Sequence, residues 1–250
     1  MQGGTIPQPH IRSLNDAPTM MIDDDIFPPF TGFPEEMIPF FKKLKRNNNR
    51  EWFAAHKDEF EENVKFPMQC FIASLAPLFG EFAPEVDIDP KRSIFRIYRD
   101  TRFSKDKTPY KTHAAAHFVL RGMPKGLVGS GYYFHIEPGE VFLGAGIYIP
   151  DGVQIKKIRA AIAARSEEFL SIVKDKKFVK RFGALDGNRL QRVPTGYAPD
   201  HPMAEYLKLK QFFVGVTLTD DVILKPKFLN EAAKIYAEAT PFVRFFNEAL

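Results

Sequence analysis

The spacing of apolar positions changes twice along the chain, from a helical period to an alternating one and back. Met37, Phe40, Phe41 and Leu44 recur at i, i+3, i+4 and i+7, the stripe of an amphipathic helix. Asn47, Asn48 and Asn49 interrupt it and offer an N-cap for the next helix. The stretch "REWFAAHKDEFEENVKF" predicts that second helix, with Trp52, Phe53, His56, Phe60 and Val64 on adjoining faces. Pro67 is expected to end or kink it, after which Phe71, Leu75, Leu78 and Phe79 resume the helical period.

After Pro90 the period shortens. "SIFRIY" (93–98), "HAAAHFVL" (113–120), "GYYFHIE" (131–137) and "VFLGAGIYI" (141–149) are short, aromatic or β-branched, and separated by turn or charged segments, which predicts an antiparallel sheet. "EPGE" at 137–140 is the clearest hairpin turn. Helical spacing returns with Val153, Ile158 and Ile162, then Phe169, Leu170 and Val173. A loop-like stretch and one more strand, "FFVGVTL", precede a final helical region from about Pro226 to Phe246. The order predicts an α+β fold, a central mainly antiparallel sheet packed against N- and C-terminal helices. A single globular domain is expected over 31–250, after a flexible arm at 1–30 that holds five prolines and the acidic run Asp23 to Asp25.

At 44% hydrophobic and 14% aromatic, the 250 residues suffice to bury a large core. No run of about 18 apolar residues occurs, and the N-terminus lacks a basic start followed by an apolar stretch, so neither a membrane span nor a secretory signal is expected. A cytoplasmic location is the expectation by default. Cys70 is the only cysteine, which excludes an internal disulfide and any multi-cysteine metal site, and its apolar neighbours predict a buried, inert thiol.

Charge changes the picture only when it is located. The net charge is +4, yet residues 91–111 carry eight Lys or Arg and two Asp, so the rest of the chain is slightly acidic. Such an island suits a small anion better than a general nucleic-acid coat. Arginine presents a planar fork that grips phosphate or carboxylate through two parallel bonds. The candidate ligand-binding set is Arg96, Arg99, Asp100, Arg102, Lys105, Lys107, Tyr110 and Lys111, with Tyr133 and His135 nearby and Trp52 and Phe53 as possible walls. Were chemistry to occur there, Asp100 or His135 would be the proton-transfer group by residue type. Two alternatives stay open: an ion-pair network in which Asp100 and Asp106 hold the arginines, and a nucleic-acid surface that also uses the second basic region, 176–192.

The hairpin gives an independent signal. With the turn at Pro138 and Gly139, Tyr132, Phe134 and Ile136 share a core face with Val141, Leu143 and Ala145. The other face carries Tyr133, His135 and Glu137 opposite Phe142, Gly144 and Gly146, where the glycines mark either a pocket floor or a closely packed helix. His135 and Glu137 form an H-x-E, but no second pair of ligands with metal spacing accompanies them, so no metal site is expected. His113 and His117 share a face if their segment is a strand. No phosphate-binding P-loop, nucleophile elbow or dinucleotide fingerprint is present, and no cofactor is indicated.

The start "FTGFPEEM", then "LKRNNNREWF", "RIYRDTRFSKDKTPYKT", "GYYFHIEPGE", "GAGIYIP" and "QRVPTGYAPDHP" resemble the DUF2461 family of bacterial and fungal proteins of unknown function. The resemblance runs from about Phe30 to Asn247 and implies a single domain. It implies no reaction, cofactor or catalytic residue.

Overall fold

The computed structural model describes residues 27–123, 129–185 and 187–250. Most of the arm expected at 1–30 lies outside the described residues. By Phe30 the chain is already packed: the ring is buried and the backbone N–H donates to Ser74 Oγ at 2.9 Å.

The predicted stripe forms α1 (Met37–Arg46), with Met37, Phe40, Phe41 and Leu44 all buried. Asn49 caps α2 (Arg50–Ala55) by accepting from the Trp52 N–H at 2.9 Å. After α3 (Lys57–Phe60) the chain does not break at Pro67. It widens into a π turn over Glu61–Lys65, where the Phe66 N–H reaches back to the Glu61 carbonyl, and runs directly into α4 (Phe66–Phe82). Pro67 thus falls in the first turn of α4, where the absent N–H leaves little unsatisfied.

Five strands come next: β1 (Val86–Asp87), β2 (Ala114–Leu120), β3 (Gly131–Glu137), β4 (Glu140–Ile147) and β5 (Phe212–Leu218). They pair antiparallel in sequence order. The hairpin register is as the turn chemistry requires, Glu137 opposite Glu140 and Phe134 opposite Leu143. One correction concerns "SIFRIY", which is not a strand of the sheet. Residues 93–99 run along the outer edge of β2 with sparse bonds, Phe95 N–H to Ala115 O at 2.9 Å and His117 N–H to Ser93 O at 3.0 Å. They then separate from it as one arm of a smaller hairpin.

Between β4 and β5 lie α5 (Gly152–Ala164), α6 (Ser166–Val173), α7 (Lys176–Phe182) and the short α8 (Ala204–Leu207). Val153 does not join the apolar face as its spacing suggested. It is 66% exposed, and Gln154 is buried in its place, locked in a capping box with Asp151. The last helix, α9 (Phe228–Ala249), lies with α4 against the core face of the sheet. There Phe33, Phe71, Phe134 and Phe228 form one aromatic cluster, and Phe79, Phe118, Tyr132 and Tyr236 another. The Tyr236 hydroxyl donates to the Tyr133 carbonyl at 2.9 Å and the Tyr132 hydroxyl to Thr240 at 3.0 Å, so each buried phenol keeps a partner. Cys70 is buried and burial raises its thiol pKa, consistent with an inert packing role. Among the described residues no helix is long and apolar enough to cross a membrane.

Arg244 on α9 clamps the turn between α4 and β1: its Nε donates to Glu85 Oε1 at 2.7 Å and its terminal nitrogen to the Phe82 carbonyl at 2.7 Å. The guanidinium bond holds the Glu85 pKa below its ordinary value of 4.5. A carboxyl lowered in the folded state stabilises above its unfolded pKa and loses that contribution as pH falls through the folded value. Both side chains are substantially exposed, so the contribution is no more than about 1 kcal/mol. Urea midpoints at pH 7 and pH 3 should therefore fall slightly further for wild type than for Glu85→Gln; equal falls would mean that the clamp is isoenergetic with water.

Candidate functional site

The sheet has two unlike faces. Because strand residues alternate, the rows that place Phe134 and Leu143 in the core place Tyr133, His135, Phe142 and Phe213 on the other side. Over that side lies a cavity of ≈ 580 Å³ whose lining includes Phe95, His117, Tyr133, His135, Phe142 and Phe213. Among the described residues, none that lines it belongs to a helix. Gly131 and Gly146 contribute to the lining, as a pocket floor would. Gly144 does not stay bare: with Gly215 opposite, it makes room for the Phe142 and Phe213 rings, which an added Cβ would strike at 2.3 Å or less. At Gly144 the close neighbours are therefore aromatic rings of the same face, whereas at Gly146 an added Cβ would meet the Phe212 carbonyl and the Phe242 ring of α9.

The charged stretch forms the tip of a hairpin with arms 93–99 and 109–117. Arg99 N–H donates to Pro109 O at 2.9 Å and Lys111 N–H to Ile97 O at 2.8 Å. Between these bonds, Tyr110 turns its own N–H and C=O outward, and the Asn48 side-chain amide meets both, at 3.0 and 2.9 Å. The Tyr110 ring stacks on Phe53 at 4.1 Å between centroids. The asparagine triplet and "REWF" thus seat the hairpin. Asn48 was not among the expected site residues, and nothing in sequence spacing marks it, because its partner is 62 positions away.

The candidate cations divide into two groups. Arg102 holds Asp100 through two nitrogens, at 3.0 and 2.7 Å; Arg99 is bonded to Asp106 and Thr108; and the Lys107 ammonium donates to the Thr101 carbonyl at 2.9 Å. Asp100 is held at about 2, first by the Arg102 side chain and then by its backbone N–H. Asp106 is also held at about 2, chiefly by the Thr108 N–H and then by Arg99. A carboxylate so stabilised is a poor proton acceptor near neutral pH. Arg96, Lys105 and Lys111, like Lys107, form no close ion pair with a carboxylate among the described residues, although the Arg96 charge acts on Asp100. Lys111 lies 5.1 Å over the Phe95 ring, a wall of the cavity, and burial followed by the Arg96 charge lowers its pKa. In the second basic region, Arg181 is committed to Glu231 and Glu238 on α9, a packing role. Trp52 stacks on His56 at 3.9 Å and packs beside Phe40 rather than at the cavity.

Beside the cavity stand His113, His135 and Glu137. The register that puts Ala115 opposite His135 brings His113, immediately before β2, to the His135 ring at 4.5 Å between centroids. His135 Nδ1 is 3.1 Å from the Tyr133 hydroxyl, and its buried Nε2 has no hydrogen-bond partner among the described residues. The nearest carboxylate, Glu137, is 3.6 Å from that nitrogen, beyond hydrogen-bond reach. Desolvation first, then the His135 and Lys111 charges, push His113 down to about 4, so its ring is neutral at pH 7. Burial likewise lowers His117. Tyr133 is raised by burial and by the charges of Glu137 and Glu140.

No curated protein and no solved structure matches the chain. The sequence model of a family described as a conserved hypothetical protein, DUF2461, matches residues 36–245. That span takes in α1, the charged hairpin, the sheet and most of α9. On that match, which spans most of the chain, the chain belongs to the DUF2461 family.

Proposed function

We propose that the chain binds a small molecule that joins a planar apolar portion to a phosphate or carboxylate, seated in the cavity on the open face of the sheet. The observation that carries this reading is the half-buried Lys111 ammonium lying against the aromatic wall at Phe95. Aromatic walls from Phe95, Tyr133, Phe142 and Phe213 suit a flat ring, and a cation over the Phe95 ring suits the anionic end. Within the charged stretch the ion pairs of Arg99 and Arg102 shape the hairpin, leaving Lys111 and Arg96 to supply the charge.

Thermal shift with phenyl phosphate, nucleoside monophosphates and a short RNA tests the reading on wild type, Lys111→Met and Phe213→Ala. A ligand at high multiples of its dissociation constant raises the melting temperature of the form it binds. The expected result is a rise for wild type with an aryl or nucleoside phosphate, reduced in both variants. No rise with any small anion, or an equal rise in Lys111→Met, would overturn it. A rise with RNA alone that collapses with salt would transfer the site to nucleic acid.

A further inference from the structure

We propose that His113, His135 and Glu137 form a site for one divalent transition-metal ion of the zinc class, at the edge of the open-face cavity. Each of the three offers one ligand atom, and these atoms lie within 4.8 Å of one another. Zinc bonds of about 2.0–2.2 Å in a tetrahedral arrangement separate neighbouring ligand atoms by about 3.3 Å. His135 Nε2 and Glu137 Oε1, at 3.6 Å, are already near that separation, which is too long for the direct hydrogen bond it would otherwise replace.

The orphaned nitrogen is the independent observation. A buried ring nitrogen without a partner carries a desolvation cost that a metal bond removes. The second nitrogen of the same ring meets the Tyr133 hydroxyl at 3.1 Å, the outer contact that fixes a histidine's tautomer and orientation when the other nitrogen binds metal. Glu137 also faces Glu140 across the last pair of the β3–β4 hairpin, and like charges in that position repel. A bound cation relieves that repulsion, and Glu140 lines the same cavity.

The donor set selects the class of ion. Two imidazoles and one carboxylate suit zinc, cobalt, nickel or copper, whereas calcium and magnesium take mostly oxygen. Three protein ligands leave a coordination position open, and His135, one of the three, lines the cavity. If the cavity holds an aryl or nucleoside phosphate, the ion would add to Lys111 in holding the anionic group; the metal site itself does not depend on that ligand.

Isothermal titration of the full chain with Zn²⁺ alone, repeated with Co²⁺ while the visible ligand-field spectrum is recorded, tests the site. One equivalent per chain is expected, with the intense cobalt bands of a four- or five-coordinate N/O site. His113→Ala and Glu137→Gln should each weaken binding by more than the 10–100-fold typical of an outer-contact change, and Tyr133→Phe by about that amount. Circular dichroism of each variant separates lost affinity from lost fold; if His113→Ala unfolds, Glu137→Gln carries the test. Phe213→Ala should bind the metal as wild type does. Substoichiometric uptake by wild type, or undiminished affinity in folded Glu137→Gln, would overturn the proposal. Phenyl phosphate binding in the absence of Zn²⁺ uptake would overturn the metal site alone, and Zn²⁺ uptake with no small anion bound would overturn the ligand reading alone.

Discussion

Alanine at Gly146 is expected to destabilise the protein by at least about 3 kcal/mol, a large part of the roughly 5–15 kcal/mol that holds a typical domain folded. Two causes act together. The backbone at Gly146 has φ = +119°, a conformation that costs an L-residue on the order of 1–3 kcal/mol. An added Cβ would also lie 2.2 Å from the Phe212 carbonyl oxygen and 2.9 Å from the Phe242 ring, so β5 would have to move off β4 or α9 off the sheet. Backbone cannot rotate aside as a side-chain tip can. Gly183 provides the control, since it has φ = +75° with no atom of the described residues within 4 Å of an added Cβ. Urea unfolding of Gly183→Ala measures the strain without the collision. If Gly146→Ala costs no more than Gly183→Ala, the close approach of β4 and β5 is not rigid and the floor of the cavity is softer than described.

The second large effect is expected at Asn48, where alanine should cost about 2–4 kcal/mol and loosen the charged hairpin. The Asn48 amide supplies both a donor and an acceptor to the Tyr110 backbone, and Tyr110 is buried. Each backbone group left without a partner in such a place costs about 1–3 kcal/mol. Aspartate at the same position keeps the acceptor and loses the donor, so Asn48→Asp should fall between wild type and Asn48→Ala. Hydrogen exchange adds the location: the Tyr110 and Lys111 amides should exchange faster in Asn48→Ala, with β3 and β4 unchanged at matched stability. Uniform acceleration across the sheet would show that the bracket stabilises the whole fold and not this hairpin.

The sheet and its two faces were legible in the residues because strand alternation is local: once Pro138 and Gly139 set the turn, the positions of Tyr132, Phe134, Val141 and Leu143 were set with it. The α+β order was legible for the same reason. The site was legible only in pieces. His135 and Tyr133 could be placed on the open face, but the meeting of His135 with His113 depends on the β2–β3 register, which no turn signal sets because residues 121–130 intervene. Equally, the abundance of arginine suggested a clamp, whereas the structure commits Arg99 and Arg102 to neighbours two to nine positions away. Short-range pairing of this kind is available to any loop with alternating charges, so composition does not separate it from a ligand grip. Pro67 and Val153 misled for a different reason. A π turn and a capping box are backbone solutions that periodicity does not encode.

The outer border of the sheet has a consequence for the behaviour of the chain in concentrated solution. β1 is two residues long, and the edge then breaks at Asp89 to Arg92 before continuing in the sparse arm at 93–99. That arm ends in a tip bearing exposed Arg102, Lys105 and Lys107. A second molecule seeking to extend the sheet at this border, opposite the β5 edge, would find few free N–H and C=O groups in a row, and would have to strip water from several cations to reach them. At this border the charged hairpin makes edge-to-edge pairing unfavourable whether or not any ligand is bound.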